Sequence, residues 1–317
     1  MVARIFIDGE AGTTGLQIRE RLEGRRDLEV LSIAPDKRKD LAERKRLLNE
    51  ADVAILCLPD DAAKESVSLI ENETTRVIDA STAFRVHADW AYGFAEMDKE
   101  QPEVIARARF VANPGCWPQG LIANLRPLIA AGLLPADLPA IYHGISGYTG
   151  GGKQMIAEYE AAGAAASHFM PYGLTFNHKH VPEMTRYTGL AKAPLFVPTV
   201  GDFAQGMTTF VPLQLEQLAS VPTGKQLHEA LADHYAAIDG SFVQVAPFDP
   251  ELGKTPALDP QAHNDTNTMT LHVFANDRRG QAVLAAVYDN LGKGASGAAV
   301  QNLNLMLGVD PRESLAE

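Results

Sequence analysis

Short apolar runs alternate with longer amphipathic stretches from the N-terminus to about residue 125. Runs that are apolar at nearly every position are typical of strands buried on both faces, and the amphipathic stretches between them are typical of covering helices. The pattern predicts an α/β domain with a doubly wound parallel sheet. Five strands are expected, at Ala3–Ile7, Leu28–Ile33, Val53–Leu58, Arg76–Ala80 and Arg109–Ala112.

After about residue 138 the rhythm changes, because the apolar runs follow one another with few helical stretches between the later ones. This pattern predicts a second, α+β domain with a largely antiparallel sheet. Its expected strands are LFVPTV, TTFVPLQL, GSFVQVAP, TMTLHVFAND and GQAVLAAVYD. A final stretch, GASGAAVQNLNLMLG, carries Val300, Leu303 and Leu307 at helical spacing and predicts a terminal helix.

Three glycines, Gly9, Gly12 and Gly15, stand three apart in FIDGEAGTTG, between the first predicted strand and the first predicted helix. Glycines in such a turn let the backbone approach a pyrophosphate, whose charge is attracted by the N–H groups at the helix start. In the first βα unit of a doubly wound domain, this turn predicts a dinucleotide site. The alternative is a tight turn that binds no ligand.

The residues after the second strand usually contact the adenosine ribose of the dinucleotide. Ser32, Lys37 and Arg38 are able to hold the additional phosphate of NADP, whereas Asp36 is typical of an NAD enzyme. The basic residues also suit a solvated helix start. We predict NADP(H) as the cofactor, with NAD as the alternative.

The composition restricts the partners of the chain. A formal net charge of −12 argues against binding to nucleic acid. No apolar run approaches the roughly 18 residues of a membrane span, and the N-terminus does not resemble a signal peptide. Two cysteines in different settings do not form a disulfide framework. We therefore expect a cytoplasmic protein with free thiols and no membrane partner.

The two cysteines differ in their surroundings. Cys57 ends an apolar run, where a free thiol behaves as a small buried hydrophobe. Cys116 lies in NPGCWPQG, directly before a predicted helix that opens with Pro118. A thiol at a helix N-terminus has a lowered pKa and is a stronger nucleophile at neutral pH. The pattern favours a catalytic Cys116, with a structural cysteine in a turn as the alternative.

A thiolate nucleophile needs a proton partner, and GLTFNHKHVPEM supplies candidates. His178 and His180 point the same way if the segment is extended, and Glu183 follows closely enough to orient a ring. No further cysteine or histidine pattern completes a metal site, so no metal is predicted. A structural histidine cluster is the alternative.

A second glycine-rich stretch, HGISGYTGGGK, begins at His143. Ser146 and Gly147 are expected to line a pocket with backbone donors. The alternative is a flexible loop.

These motifs together resemble the short-form (type 2) N-acetyl-gamma-glutamyl-phosphate reductases, within the wider aspartate-semialdehyde-dehydrogenase-like family. The resemblance covers nearly the whole chain, and its specific elements are NPGC and the segment NHKHVPEM. VIDASTAFR, ISGYTGGGK and KGASGAAVQN add to it. Glu10 departs from the pattern of longer relatives, which have a small residue in the glycine turn.

The resemblance implies an NADPH-dependent enzyme of arginine biosynthesis that converts N-acetyl-gamma-glutamyl phosphate to N-acetylglutamate semialdehyde through a cysteine thioester. Residues 1–115 would bind NADP, completed by a C-terminal helix at 293–317, and residues 116–292 would form the catalytic and dimerisation domain. A homodimer or homotetramer is implied. The expected nucleophile is Cys116, the acid/base is His178, the substrate-binding residues are His180, Arg85, Ser146 and Asn113, and Gly9, Gly12 and Gly15 hold the pyrophosphate.

Rival functions remain at this point. One is a related reductase acting on an aspartyl or aminoadipyl phosphate, since the sequence does not reveal the pocket for the acyl chain. A second is a cysteine-dependent hydrolase or acyltransferase that uses no nicotinamide. A third is a nucleotide-binding regulator with no activity.

Overall fold

The polypeptide forms two units in a computed structural model that describes residues 2–249 and 258–317. Unit 1 comprises Met1–Ala95, Glu100–Gly115 and Ala295–Ala316. Unit 2 comprises Glu96–Lys99 and Cys116–Gly294, with Glu317. The predicted second-domain range, 116–292, includes residues 250–257, which lie outside the described residues.

Strands and helices mostly alternate in the first part of the chain, whereas in the second part several strands follow one another without a described α-helix between them. The first part contains β1 (Ala3–Asp8), α1 (Thr13–Leu22), β2 (Leu28–Leu31), α2 (Leu41–Glu50), β3 (Val53–Leu56), α3 (Asp60–Ser68), β4 (Arg76–Asp79), β5 (Ala91–Tyr92), α4 (Gln101–Arg107) and β6 (Phe110–Ala112). The second part contains α5 (Cys116–Ala130), β7 (Ile141–Gly147), α6 (Gly152–Ala162), β8 (Phe169–Pro171), α7 (Val181–Thr188), β9 (Leu195–Gly201), β10 (Met207–Gln214), α8 (Gly224–Ala236), β11 (Val243–Val245), β12 (Met269–Asn276), β13 (Gln281–Tyr288) and α9 (Gly297–Leu307).

Unit 1 contains a parallel sheet of six strands in the order β2-β1-β3-β4-β6-β5. The chain leaves β1 toward β2 and later returns to the other side of β1 at β3, so the carboxyl ends of β1 and β3 form the crevice where ligands bind in such sheets. All five predicted strands are present, as the doubly wound prediction required. The edge strand β5 was missed, because two residues carry no periodic signal.

Helix α9 belongs to unit 1, although about 180 residues of chain separate it from β6. Val300 and Leu303 are fully buried in the same apolar cluster as Ile5 and Ile7 of β1. Burial of this kind stabilises each side chain by about 1.5–3 kcal/mol. The C-terminal helix is therefore a structural part of the unit that begins the chain.

Unit 2 contains a sheet of seven strands in the order β11-β12-β13-β10-β7-β9-β8. Four of its described strand pairs are antiparallel, and the pairs β11–β12 and β7–β9 are parallel. The predicted sheet is thus confirmed as largely antiparallel. Two strands were missed: β7 lies in the glycine-rich stretch, and β8 has three residues.

One face of the unit 2 sheet is covered by α5, which contacts β10 and β13 and also packs against α7 and α8. Most side chains of α5 are buried. The four residues Glu96–Lys99 belong to this unit because Asp98 pairs with Arg126 of α5 at 2.6 Å and Glu96 with Lys293, also at 2.6 Å. No sequence pattern indicated that Glu96–Lys99 belong to unit 2.

Candidate active site

Cys116 is the first residue of α5, and its thiol is half-buried. The first turn of α5 contains no acidic residue, so no carboxylate of that turn opposes the positive end of the helix dipole. Backbone N–H groups at a helix start have no partner within the helix and stabilise an anion placed beside them. The local structure therefore suits a reactive thiolate.

Two buried tyrosines hold the start of α5. The Tyr288 hydroxyl donates to the carbonyl oxygen of Cys116 at 2.8 Å and accepts from the N–H of Gly120 at 3.2 Å. Tyr142 donates to the carbonyl oxygen of Trp117 at 2.6 Å. A Cβ at Gly120 would lie 2.8 Å from the Tyr288 hydroxyl, so only glycine allows this approach. The sheet thus orients the helix turn that carries the thiol.

Gly294 lies directly against the side chain of Cys116. A Cβ at Gly294 would lie 2.9 Å from the Cβ of Cys116 and 3.0 Å from the carbonyl oxygen of Asp289. Gly294 belongs to a π-helical turn, Gly292–Ser296. A side chain at this position would displace the thiol, which explains a glycine here without appeal to backbone strain.

A buried ion pair anchors this π-helical turn. The ammonium of Lys293 lies 2.6 Å from the carboxylate of Glu96, and both side chains are only 1% exposed. The carbonyl oxygen of Lys293 accepts a hydrogen bond from Gln119 of α5 at 2.9 Å. Burial lowers the pKa of Lys293, and the charge of Glu96 opposes that shift. The pair links the first turn of α5 to the segment that contacts Cys116.

His178 and His180 do not lie on an extended segment, so the condition for the predicted orientation is not met. His180 has helical backbone angles and caps α7. The two rings nevertheless meet edge to face, with centroids 4.7 Å apart. The Nδ1 atom of His178 accepts the backbone N–H of His180 at 3.1 Å. In the neutral ring this bond places the proton on Nε2, which makes Nε2 a donor.

Tyr172 connects the cysteine and histidine segments, and sequence reasoning missed it. Its hydroxyl accepts the indole N–H of Trp117 at 3.1 Å, and its ring packs against the edge of His178 with centroids 5.7 Å apart. Burial raises the pKa of Tyr172, and the charge of Cys116 raises it further. Unit 2 therefore brings Cys116 and His178 to the same tyrosine. A lone tyrosine carries no motif by which it could have been found.

Ser146 is buried near the end of β7 and pairs in register with Met207. The flexible-loop alternative is wrong for His143–Gly147, because these residues form a regular strand of the sheet. The following turn is also held, since Asn290 donates to the Thr149 hydroxyl at 3.1 Å. A role of Ser146 toward a substrate stays a prediction.

Arg85 and Asn113 both lie in unit 1 and are both buried. Arg85 donates to the carbonyl oxygens of Asn113 and Ala80, each at 3.0 Å. The Asn113 amide donates to the carbonyl oxygen of Ala295 and accepts from Asn302, also at 3.0 Å in each case. These contacts hold the turn that leaves β6. Asn113 therefore acts at least as a positioning residue for the segment that precedes Cys116.

The glycine turn after β1 has the shape of a phosphate cradle. Gly9 has φ +89°, and a Cβ there would lie 2.3 Å from the carbonyl oxygen of Cys57. A Cβ at Gly15 would lie 2.7 Å from the carbonyl oxygen of Gly9. Gly12 caps α1 without a side-chain hydrogen bond, and the first helical turn has no acidic residue. The N–H groups of this turn are thus able to receive a pyrophosphate, and the residues fit a dinucleotide coenzyme.

Glu10, the unusual residue of the turn, is paired. The Nη1 atom of Arg19 donates to the Glu10 carboxylate at 2.6 Å and to the Ser32 hydroxyl at 3.3 Å. Lys37 and Arg38 are exposed, on and directly after a short 3-10 turn, and within the described residues their side chains donate no hydrogen bond. The structure therefore groups Ser32 with Arg19 rather than with the two basic residues that the sequence suggested.

The described part of the chain offers neither a metal cluster nor a membrane-crossing helix. Residues 2–249 and 258–317 contain no group of three or more His, Cys, Asp or Glu side chains arranged to hold a metal ion. In the same ranges, no helix combines the length and apolarity required to cross a bilayer.

Profiles of known families match both units. One, described as the NAD binding domain of semialdehyde dehydrogenase, matches residues 4–105. Another, described as the dimerisation domain of semialdehyde dehydrogenase, matches residues 116–290. The chain belongs to the semialdehyde dehydrogenase family. It is an oxidoreductase with a nicotinamide-binding Rossmann domain. Relatives of high sequence identity belong to one particular group of enzymes within this family.

Those relatives are N-acetyl-gamma-glutamyl-phosphate reductases. The chain is 66% identical to the protein of that name from Chelativorans sp. over 307 residues, which cover 97% of this chain and 99% of the relative. It is 64% identical to the Mesorhizobium japonicum protein over 309 residues, 98% of this chain and all of the relative. The resemblance predicted from the motifs is confirmed.

Solved structures share the fold at low identity. Aspartate semialdehyde dehydrogenase II of Vibrio cholerae, complexed with ASA, superposes with a TM-score of 0.70 at 16% identity over 97% of this chain and 99% of that chain. Aspartate semialdehyde dehydrogenase of Candida albicans with NADP gives a TM-score of 0.66 at 13% identity, covering 98% and 99%. The two-unit α/β fold is therefore that of the semialdehyde dehydrogenases.

Proposed function

We propose that the protein reduces N-acetyl-gamma-glutamyl phosphate to N-acetylglutamate semialdehyde, with release of phosphate, in arginine biosynthesis. The observation that carries this proposal is the placement of Cys116, a half-buried thiol on the first residue of a long helix. The proposed acyl group, N-acetyl-gamma-glutamyl, is taken from the names of the full-length relatives. A cytoplasmic location stays a prediction.

Cys116 is the proposed nucleophile. Its thiolate sulfur attacks the acyl carbon, the bond from that carbon to the phosphate oxygen breaks, and phosphate leaves with the bonding electrons. The product is a thioester on Cys116. When bound, the nicotinamide coenzyme supplies the hydride that reduction of the thioester requires.

His178 is the proposed acid/base. Its Nε2–H, set by the bond that Nδ1 accepts from His180, donates to the oxygen that gains negative charge as the acyl carbon becomes tetrahedral. After the thioester is reduced, the thiohemiacetal on Cys116 returns its hydroxyl proton to His178, its C–S bond breaks, and the aldehyde and the thiolate are released. His180, Arg85 and Ser146 are proposed to contact the substrate, and Asn113 to position the turn before Cys116.

NADP is the proposed coenzyme, bound with its pyrophosphate on the turn of Gly9, Gly12 and Gly15. Ser32, directly after β2, offers a hydroxyl to a phosphate on the adenosine ribose, and Lys37 and Arg38 add a general positive charge. The Candida albicans relative with the same fold was solved with NADP.

A homodimer is the proposed assembly, formed through the face of the unit 2 sheet that α5 does not cover. The side chains at strand positions on this face include Ile141 and Leu195, which are 43% and 47% exposed. Phe210 and Phe274 share the face. In the described strands, none of the positions on this face is Lys, Arg, Asp or Glu. A broad uncharged surface of this kind is typical of interfaces between copies of a chain.

The activity is tested in the reverse direction, by mixing enzyme, NADP, phosphate and one aldehyde. N-Acetylglutamate semialdehyde should be oxidised at least about 10²-fold faster than aspartate or aminoadipate semialdehyde, as measured by NADPH absorbance. In the absence of phosphate, mass spectrometry should find the acyl group on Cys116 and not on Cys57. Preference for another aldehyde would identify a related reductase, and an absence of NADP reduction with all three aldehydes would favour a hydrolase or transferase.

The assembly is tested by light scattering. The double substitution Ile141→Lys and Leu195→Lys should convert the dimer to a folded monomer, because it buries two charges at the proposed interface. The matched control is Leu41→Lys and Val104→Lys, two exposed apolar residues of unit 1. A dimer that survives the first pair of substitutions places the interface elsewhere.

A further inference from the structure

Arg19 occupies a position that its sequence context does not reveal. It lies on the last turns of α1, and its Nη1 atom reaches Glu10 in the glycine turn and Ser32 after β2. Strands β1 and β2 are parallel neighbours, so both segments lie at the same carboxyl edge of the sheet. The Arg19 guanidinium thus joins the two segments between which the adenosine ribose binds in such domains.

The hydrogen bonds of Arg19 leave part of its guanidinium available. Its contacts within the described residues are made by Nη1 alone, and its side chain is 36% exposed. The Nε and Nη2 donors therefore remain for a ligand. A guanidinium fork beside a serine hydroxyl matches the oxygens of a phosphate group in two-point geometry.

We infer that Arg19, with Ser32, is the residue that selects NADP over NAD, and that Glu10 is its counter-ion in the free enzyme. The inference rests on the proposed use of NADP. The 2′-phosphate binds the Nε and Nη2 donors of Arg19, while the Nη1 atom stays on the Glu10 carboxylate. The ribose of NAD carries no such phosphate and gains no charged contact with Arg19.

This arrangement also accounts for a carboxylate in the glycine turn. Glu10 is only 16% exposed, and beside a pyrophosphate it would be repelled if its charge were not compensated. Arg19 compensates this charge through the same Nη1 atom that contacts Ser32.

Lys37 and Arg38 fit this role less well. Both are exposed on or next to a 3-10 turn, and neither side chain is held by a hydrogen bond within the described residues. Exposed charges attract a phosphate only weakly, because salt screens them and their side chains lose entropy when they are fixed. We expect them to contribute a general attraction and not the selection.

Binding of two nucleotide fragments, 2′,5′-ADP and 5′-AMP, tests the inference by calorimetry, which requires neither substrate nor turnover. The wild-type protein should bind 2′,5′-ADP at least about tenfold more tightly than 5′-AMP. Arg19→Gln should remove most of this ratio, and Arg19→Lys should restore part of it, since an ammonium provides charge without the fork. Glu10→Gln should tighten binding of 2′,5′-ADP and leave 5′-AMP unchanged.

Arg46→Gln is the matched control, because Arg46 is also an arginine of unit 1 paired with glutamates, Glu43 and Glu50. It should leave the ratio unchanged. A ratio that persists in Arg19→Gln but collapses in the double variant Lys37→Ala and Arg38→Ala overturns the inference alone. A wild-type protein that binds both fragments equally overturns the NADP proposal and the inference with it.

Discussion

The surroundings of Cys57 and Cys116 differ more than their places in the chain suggest. Cys57 directly follows β3, and Cys116 stands a few residues beyond β6. Burial, together with the charges of Asp79 and Asp8, raises the pKa of the Cys57 thiol to about 12. Cys116 instead begins a helix whose first turn contains no acid. Neighbouring charges and burial, rather than proximity to a strand end, thus make Cys116 the better candidate for a reactive thiol.

Each cysteine is also approached by a glycine that lies far from it in sequence. The absent Cβ of Gly9 would overlap the carbonyl oxygen of Cys57, and that of Gly294 would overlap the Cβ of Cys116. In unit 1 the close approach shapes the coenzyme turn, whereas in unit 2 it sets the position of the thiol. The same kind of close packing thus lies at the proposed coenzyme turn in one unit and at the proposed nucleophile in the other.

The largest effect is expected from removing the reactive thiol. Cys116→Ser should lower reductase turnover by at least about 10³-fold, because a serine hydroxyl is not ionised at neutral pH. Cys57→Ser should remain active and lose some stability from a polar group in the apolar core. Steady-state assays check the first effect, with retained binding of 2′,5′-ADP as evidence of an intact unit 1. If Cys116→Ser kept more than a small fraction of the wild-type turnover, the assignment of Cys116 as the nucleophile would be refuted.

Removing His178 should make the thiol of Cys116 less reactive toward alkylation, and in this respect more similar to Cys57. His178→Asn keeps a hydrogen-bonding atom near Nδ1 and removes the Nε2 donor, so kcat should fall on the order of 10²-fold or more. Alkylation of Cys116 by iodoacetamide should shift to higher pH, whereas Cys57 should stay unmodified up to about pH 10.

His180→Asn serves as the comparison for this variant. It should raise the KM of the acyl substrate more than it lowers kcat, because His180 is proposed to contact substrate. The opposite outcome, with the alkylation profile shifted only in His180→Asn, would exchange the two roles. If neither profile moves, the helix terminus alone activates the thiol.

Gly294→Ala tests whether the close approach of Gly294 to Cys116 positions the thiol. The added Cβ must push against the side chain of Cys116, so kcat should fall by roughly tenfold to 10²-fold with KM little changed. Gly132→Ala is the control, since no atom lies within 4 Å of the Cβ that alanine would add there, although the φ of Gly132 is +71°. That variant should lose about 1 kcal/mol of stability and keep its activity. Equal activity in both variants would show that Gly294 does not position the thiol.

The smallest effect concerns Asp79, whose carboxylate acts on Cys57. Burial raises the pKa of Asp79 from 3.8 to about 6, although bonds from Ser81 and the charge of Arg85 oppose the shift. Because the folded protein holds this proton more tightly, the free energy of unfolding falls as pH rises from about 4 to 6 and stays lower above that range.

Asp79→Asn should remove this fall and raise the free energy of unfolding at pH 7 by about 1–3 kcal/mol, measured by urea denaturation at several pH values. The pKa of Cys57 should drop modestly, since a neighbouring charge is lost. Asp137→Asn, an exposed carboxylate, is the control and should change neither quantity. A pH profile of stability that is unchanged in Asp79→Asn would contradict the assigned cause.

Much of the fold was predictable because its signals are local. The buried strands of unit 1 are short apolar runs, and five of its six described strands were predicted from them. The two strands missed in unit 2 lack that signal, since β7 contains glycine and serine and β8 is short. The orientation of His178 was predicted on the condition of an extended segment. The turn before α7 prevented it, because His180 caps that helix with helical backbone angles.

The sequence by itself determined the two kinds of sheet, the glycine turn and the resemblance to acyl-phosphate reductases, and it predicts Cys116 rather than Cys57 as the nucleophile. These features depend on residue type at short spacing. Only the tertiary structure decided that Tyr172 lies beside His178, that Lys293 and Glu96 form a buried pair, and that Arg19 links Glu10 to Ser32. Such contacts join residues from different elements, and their geometry is set by how strands and helices pack, which no local pattern encodes.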